Sequence, residues 1–238
     1  SFIREVENGE IVIIENNELK SIKPFPKQKA RPCVFEYIYF ARPDSLINKK
    51  CAYEYRKNLG SELAKETDIK ADLVVPVPDS GVPAALGFAK ESKKEFDLGL
   101  IRNHYVGRTF IEPSQNIRSL GVKLKLSSTK TIVNDKSIIL IDDSLVRGTT
   151  CHKIVKMLYE AGAKEVHVRI ACPEIKFPDF YGVDMPTKDE LLASKKDINE
   201  MCNYINAKSL RFLSLEGLYK ALINEKRNPN YPQFSDHY

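Results

Sequence analysis

Apolar residues fall along this chain in two rhythms. Ser137-Ile138-Ile139-Leu140-Ile141 is a continuous apolar run after its first residue, the pattern of a strand buried on both faces of a parallel sheet. A helix is predicted directly after it: Thr149 or Thr150 can cap it, Cys151, Ile154, Val155 and Leu158 make one apolar face, and Gly162 supplies the stop. Val166-His167-Val168-Arg169-Ile170 then returns as a strand, so residues 137 to 171 read as one βαβ unit. Upstream, Leu73-Val74-Val75-Pro76-Val77 predicts another buried strand with a helical stretch from Val82 to Lys90 behind it, and Leu98 to Ile101 predicts a weaker strand. The class is α/β.

The ends of the chain read differently. Gly9 to Ile14 and Glu18 to Ile22 predict two short strands joined by the turn formers Asn16 and Asn17. A lone hairpin is barely stable, and Pro24, Pro26 and Pro32 follow it among basic residues. Residues 1–23 are therefore read as the tail of another domain, 24–32 as a linker, and 33–238 as the main domain. With no initiator Met and a strand-like opening from Phe2 to Val6, the chain reads as an excised or processed piece.

Between strands, residues 102 to 126 show no clean period and exceed the roughly 12 to 15 residues of an ordinary loop. Arg102, Arg108, Arg118, Lys123 and Lys125 are opposed there by Glu112 alone, and Gly107 and Gly121 could hinge it. This segment is read as a cationic lid; taken alone, a basic loop is more often a solvated surface.

Composition narrows the picture only a little. Hydrophobic residues at 42% and charged residues at 29% give a globular balance. The net charge of +5 suits nucleic acid or a phosphorylated small molecule without choosing between them. Cys33, Cys51, Cys151, Cys172 and Cys202 are odd in number and free of any Cys-x-x-Cys pair, which reads as reduced thiols in a cytoplasm. No run approaches the roughly 18 apolar residues of a membrane span.

The chemistry concentrates where the strongest strand ends, in Asp142-Asp143-Ser144-Leu145-Val146-Arg147-Gly148-Thr149-Thr150. Ligands of open α/β sheets sit beyond the carboxyl ends of the strands, and a helix N-terminus offers unpaired N–H groups to a phosphate. Gly148 would let the backbone approach that phosphate, with Ser144, Thr149 and Thr150 adding hydroxyl donors. Two carboxylates would repel it, so Asp142 and Asp143 are directed instead at ribose hydroxyls and a hard cation such as Mg2+. Both reach the crevice only if the chain leaves its pleat there. The competing reading is a plain helix cap.

This segment resembles the phosphoribosyl pyrophosphate motif of type I phosphoribosyltransferases, in the version found in the glutamine phosphoribosylpyrophosphate amidotransferase family. Phe35 to Ser45, Asn103 to Ile111 and Phe180 to Met185 are also similar to that family. The resemblance implies a type I phosphoribosyltransferase fold, a mostly parallel twisted sheet flanked by helices, with a small C-terminal helical extension from about Thr187. It makes Pro76-Val77-Pro78-Asp79-Ser80-Gly81 a diphosphate loop, where residue pattern alone says only a turn. Substrate contacts then fall to Asp79, Ser80, Gly81 and the stretch Ser144 to Thr150, and metal contacts to Ser80, Asp142 and Asp143. The lid residues Arg102, Tyr105 and Arg108 join the acid pair in catalysis, Tyr105 near the path of ammonia; the family commonly has Lys where Arg102 stands.

The implied reaction is displacement of diphosphate from phosphoribosyl pyrophosphate by ammonia, giving 5-phosphoribosylamine, the entry to purine synthesis. Mg2+ is the implied cofactor, purine nucleotides the feedback inhibitors and a homo-oligomer the assembly, with neither nucleic acid nor membrane as partner. Two departures matter. The family makes its ammonia in an N-terminal glutaminase domain opening on a catalytic Cys, and residues 1–23 are similar only to its last hairpin. Some members hold an iron–sulfur cluster by four cysteines; here Cys33 stands at one such place, with Asp179, Ser235 and Tyr238 at the others, so no cluster is expected. The alternatives are a phosphoribosyltransferase for a nucleobase and a protein that only senses phosphoribosyl pyrophosphate.

Overall fold

The computed structural model describes residues 4–27, 29–103, 126–179 and 187–237. Near the N-terminus, β1 (Ile11–Glu15) and β2 (Glu18–Ile22) form an antiparallel hairpin. Asn16 and Asn17 both take positive φ there, the geometry of a tight two-residue hairpin turn. Ile14 and Leu19 face solvent.

A π-helical turn, Glu36–Phe40, leads to the short pair β3 (Leu46–Ile47) and β4 (Lys50–Cys51) and then to α1 (Ala52–Lys65). Next come β5 (Leu73–Pro76), α2 (Val82–Ser92), β6 (Glu95–Phe96) and β7 (Leu100–Arg102). After the undescribed stretch follow β8 (Leu126–Ser128), α3 (Lys130–Val133), β9 (Ser137–Asp142), α4 (Thr149–Glu160) and β10 (Glu165–Ile170). The chain then forms α5 (Ile198–Ile205), β11 (Ser209–Phe212) and α6 (Leu215–Ile223).

Five parallel strands make the main sheet in the order β11-β10-β9-β5-β6. Ile138, Ile139, Leu140 and Ile141 of β9 are fully buried, as a central strand covered on both faces requires. Each such side chain contributes roughly 1.5–3 kcal/mol on burial. From β5 the chain moves through α2 to β6 on one side; from β9 it moves through α4 to β10 on the other. Right-handed crossovers then put α2 and α4 on opposite faces. The groups α1–α2–α6 and α4–α5 pack accordingly. The reversal between β5 and β9 is a topological switch point, where the carboxyl ends of two neighbouring strands part and leave a crevice.

Helices α1 and α2 meet closely. A Cβ on Gly60 would stand 1.8 Å from the Ala84 carbonyl oxygen, so a side chain there would push the two helices apart.

Three expectations change. The weak strand forms as β7 and pairs with β8 in a separate ribbon, while the sheet edge is β6. The stretch from Thr187 is more than helical, since it adds β11 to the sheet. Helix α4 is capped by Gly148 rather than by Thr149 or Thr150, which occupy its first turn. No helix among the described residues is long and apolar enough to cross a membrane.

Candidate active site

Two loops from adjacent strands meet at the crevice. After β5, the chain turns through Val77 to Gly81 into α2. The Val77 N–H donates to the Ile141 carbonyl at 2.8 Å and the Gly81 N–H to the Val77 carbonyl at 2.9 Å. A Cβ on Gly81 would lie 2.5 Å from that same Ile141 oxygen, so glycine is what lets this loop seat against the end of β9. The loop therefore hangs one residue before the acid pair. Asp79 is exposed, Ser80 half-buried, and the Pro78–Asp79 peptide is cis.

Strand β9 ends at Asp142, whose carbonyl still accepts from Ala171 N–H at 2.9 Å. Asp143 lies beyond the ladder, and this departure from the pleat brings both acids to one place. Asp142 Oδ1 accepts from the Asp143 N–H at 2.9 Å, and the Ser144 hydroxyl donates to Asp143 Oδ1 at 2.7 Å. Asp143 is 6% exposed, and its Oδ2 is buried with no hydrogen-bond partner.

Burial, then repulsion from Asp143, pushes the Asp142 carboxyl well above the usual range. Burial pushes Asp143 up as well, against the opposing pull of Ser144, Ser80 and the charge of Arg56. A half-buried acid beside a buried one with an orphaned oxygen forms an electrostatically incomplete group. Oxygen donors of this kind fit a hard divalent cation. Among the described residues no cluster of three or more His, Cys, Asp or Glu side chains stands ready to enclose a metal. The acid pair, with Ser80 beside it, would thus supply part of a coordination shell and leave the rest to water and substrate oxygens, as Mg2+ commonly requires.

Past Ser144 the loop turns inward. Leu145 is buried, and the Val146 carbonyl accepts from Leu192 N–H at 2.9 Å. Gly148 has φ +75°, and a Cβ there would also meet Leu192 Cδ2 at 2.7 Å; both features call for glycine. Thr149 and Thr150 are exposed at the start of α4, and no side chain caps that helix. Its first-turn N–H groups are left for an anion.

The two basic site residues that are described both carry carboxylate partners. Arg102, at the end of β7, pairs with Asp79 of the first loop. Arg147 pairs with Glu190 at 3.1 Å, away from the acid pair in its bonding. Ser144, expected to donate to a phosphate, here donates to Asp143 Oδ1. Tyr105 and Arg108 lie outside the described residues, as do most of the lid and Phe180 to Met185. Cys33 and Ser235 form an isolated parallel bridge, with Val34 N–H donating to the Ser235 carbonyl at 3.1 Å; Tyr238 is outside the described residues.

Arg56 escaped the sequence reading. It is 5% exposed on α1, donating through Nε to the Tyr37 carbonyl at 3.2 Å and through Nη2 to the Ala41 carbonyl at 2.6 Å. It ties the segment 37–41 behind the acid pair, and its field reaches Asp143. The available signal was a lone Arg inside the apolar stripe of a helix, between Tyr55 and Leu59.

Known proteins resemble this chain in sequence and fold. A family model described as a phosphoribosyl transferase domain matches residues 47–176. An amidophosphoribosyltransferase of Rhizobium etli is 57% identical over 243 residues, covering 100% of this chain and 49% of the relative. Another, from Methanocaldococcus jannaschii, is 50% identical and covers 93% of this chain and 50% of its own length. The solved glutamine phosphoribosylpyrophosphate amidotransferase from B. subtilis, complexed with ADP and GMP, aligns with a TM-score of 0.82 at 47% identity, over 96% of this chain and 50% of that one. This chain spans about half the length of the curated relatives it matches. Its two crevice loops lie within the matched domain, and its similarity to amidophosphoribosyltransferases runs along nearly its whole length: the chain belongs to the phosphoribosyl transferase domain family.

Proposed function

We propose that this chain binds phosphoribosyl pyrophosphate between the loops after β5 and β9 and lets ammonia displace the diphosphate to give 5-phosphoribosylamine. The observation that carries this reading is the juxtaposition of two structures on one crevice: the loop Asp79–Gly81, seated on Ile141, and the acid pair with the orphaned oxygen of its buried member, Asp143. The uncapped start of α4, with Thr149 and Thr150, takes the 5-phosphate. Asp142 and Asp143 take the ribose hydroxyls and share Mg2+ with Ser80. Mg2+, when bound, offsets the charge that collects on the departing diphosphate.

The protein's own contribution is position and charge. Backbone N–H groups of the first loop hold the diphosphate, and Arg102, paired in this structure with Asp79, lies beside it. Positive charge develops on the ribose ring as the C1–oxygen bond breaks, and the neighbouring carboxylates stabilise it. Ammonia adds at C1, loses a proton to solvent, and diphosphate leaves with its electron pair. Purine nucleotides act as feedback ligands, a reading supported by the ADP and GMP bound to the B. subtilis relative. A homo-oligomer in the cytoplasm accords with the family. Residues 1–23 are assigned as the tail of a glutaminase domain and 24–32 as its linker.

The test is diphosphate release by the purified 238-residue chain with Mg2+ and phosphoribosyl pyrophosphate. Release should depend on ammonia and should not respond to glutamine, because none of the five cysteines bears an α-amino group to act as its base. Release driven by a purine or pyrimidine base would favour a nucleobase transferase, and binding without turnover would favour a sensor.

A further inference from the structure

The ion pair between Asp79 and Arg102 joins two parts of the site that have to act together. Asp79 lies on the loop after β5, and Arg102 closes β7, where it pairs across the ribbon with Leu126 of β8. Residues 102 and 126 are thus held side by side at the root of the segment 103–125, and the bond to Asp79 fastens that root to the loop. Resting on the reading above, in which this loop holds the diphosphate, the arrangement has a cost: an anion of the protein already occupies a cation meant for the substrate.

We propose that Asp79 is a built-in competitor for the diphosphate, which sets the site's affinity by holding Arg102 until the substrate displaces it. Two anions compete for one guanidinium. The diphosphate carries more charge and offers several oxygens to Arg102, so it wins when present. When it leaves, the carboxylate takes the guanidinium back, which favours release of the product. The competition is modest in size because both side chains are partly exposed, 58% for Asp79 and 36% for Arg102. Exposed pairs of this kind are worth about 0.2–1 kcal/mol, or up to about fivefold in an equilibrium constant.

A role in competition differs from simple charge repulsion, since only the former depends on Arg102. The experiment is a double-mutant cycle on diphosphate binding, measured calorimetrically with inorganic diphosphate and Mg2+ on the whole chain, for wild type, Asp79→Asn, Arg102→Gln and the double variant. Both positions are polar and partly exposed, and matching melting temperatures would confirm intact folds. Asp79→Asn should tighten binding about two- to fivefold, and that gain should largely vanish when Arg102 is Gln. An equal gain in both backgrounds would overturn the competition in favour of plain repulsion, and weaker binding by Asp79→Asn would overturn it in favour of a role in holding the ligand. A wild-type chain that binds no diphosphate at all would instead defeat the reading of the site itself, and the competition with it.

Discussion

At the residue scale, the acid pair decides between a site and a cap. Both carboxyls have pKa values raised by burial, so the folded state carries their charge at a cost. The sign follows from linkage: a carboxylate whose folded pKa lies above its unfolded value destabilises the fold at neutral pH, and the penalty fades as pH falls through the folded value and is gone below the unfolded one. Asn keeps the acceptor oxygen that Asp143 N–H and Ser144 use while removing the charge. Asp142→Asn and Asp143→Asn should therefore melt at or above the wild-type temperature at pH 7. A fall of more than about 4 °C, on the order of 1 kcal/mol or more for a chain of this size, would show the acids to be structural.

At the element scale, the same physics separates what could be read in advance from what could not. The unit from β9 through α4 to β10 was legible because its strands are apolar runs and its helix keeps one apolar face. Helix α1 was not: its buried face includes Arg56 and Glu62 alongside Tyr55, Leu59 and Leu63, so the polar residues that make it useful also break its pattern. β6 was missed and the strand read at Leu98 to Ile101 begins two residues later as β7, because strands of two or three residues hold too little sequence to show a period. The acid pair was legible as chemistry, whereas the orphaned Asp143 oxygen and the Asp79–Arg102 pair depend on contacts between segments far apart in sequence.

The C-terminal tail makes the same point about packing. Phe234 stacks edge-on against both Tyr37 and Tyr219, with ring centroids 5.3 Å apart in each case. Asp236, its side chain 1% exposed, accepts from Tyr219 Oη at 2.7 Å and from Arg227 Nε at 2.7 Å. Burial alone would raise the pKa of Asp236; the bonds from Arg227 and Tyr219 prevail and hold it low. Its contribution is therefore full above the unfolded value of about 3.9 and is lost as pH falls further, through the folded value. The melting-temperature gap between wild type and Asp236→Asn should be widest at neutral pH and should close below about pH 4. A gap that stays constant into acid would remove the ionised pair from the account.

At the scale of the whole molecule, function follows from topology. The chain reverses its direction of travel across the sheet between β5 and β9, and that reversal parts two loops whose residues lie some sixty positions apart. One loop carries glycine where it must touch β9; the other carries the acids where the strand leaves its pleat. The β7–β8 ribbon brings Arg102 to the same crevice. The most direct test of this account follows the phosphorus signals of phosphoribosyl pyrophosphate by NMR, with Mg2+ and ammonia, in wild type and in the two Asn variants. The account predicts ammonia-dependent appearance of free diphosphate with wild type and a rate about 100- to 1,000-fold lower in Asp142→Asn and Asp143→Asn. Near-normal release by either variant, or none by the wild-type chain, would contradict it.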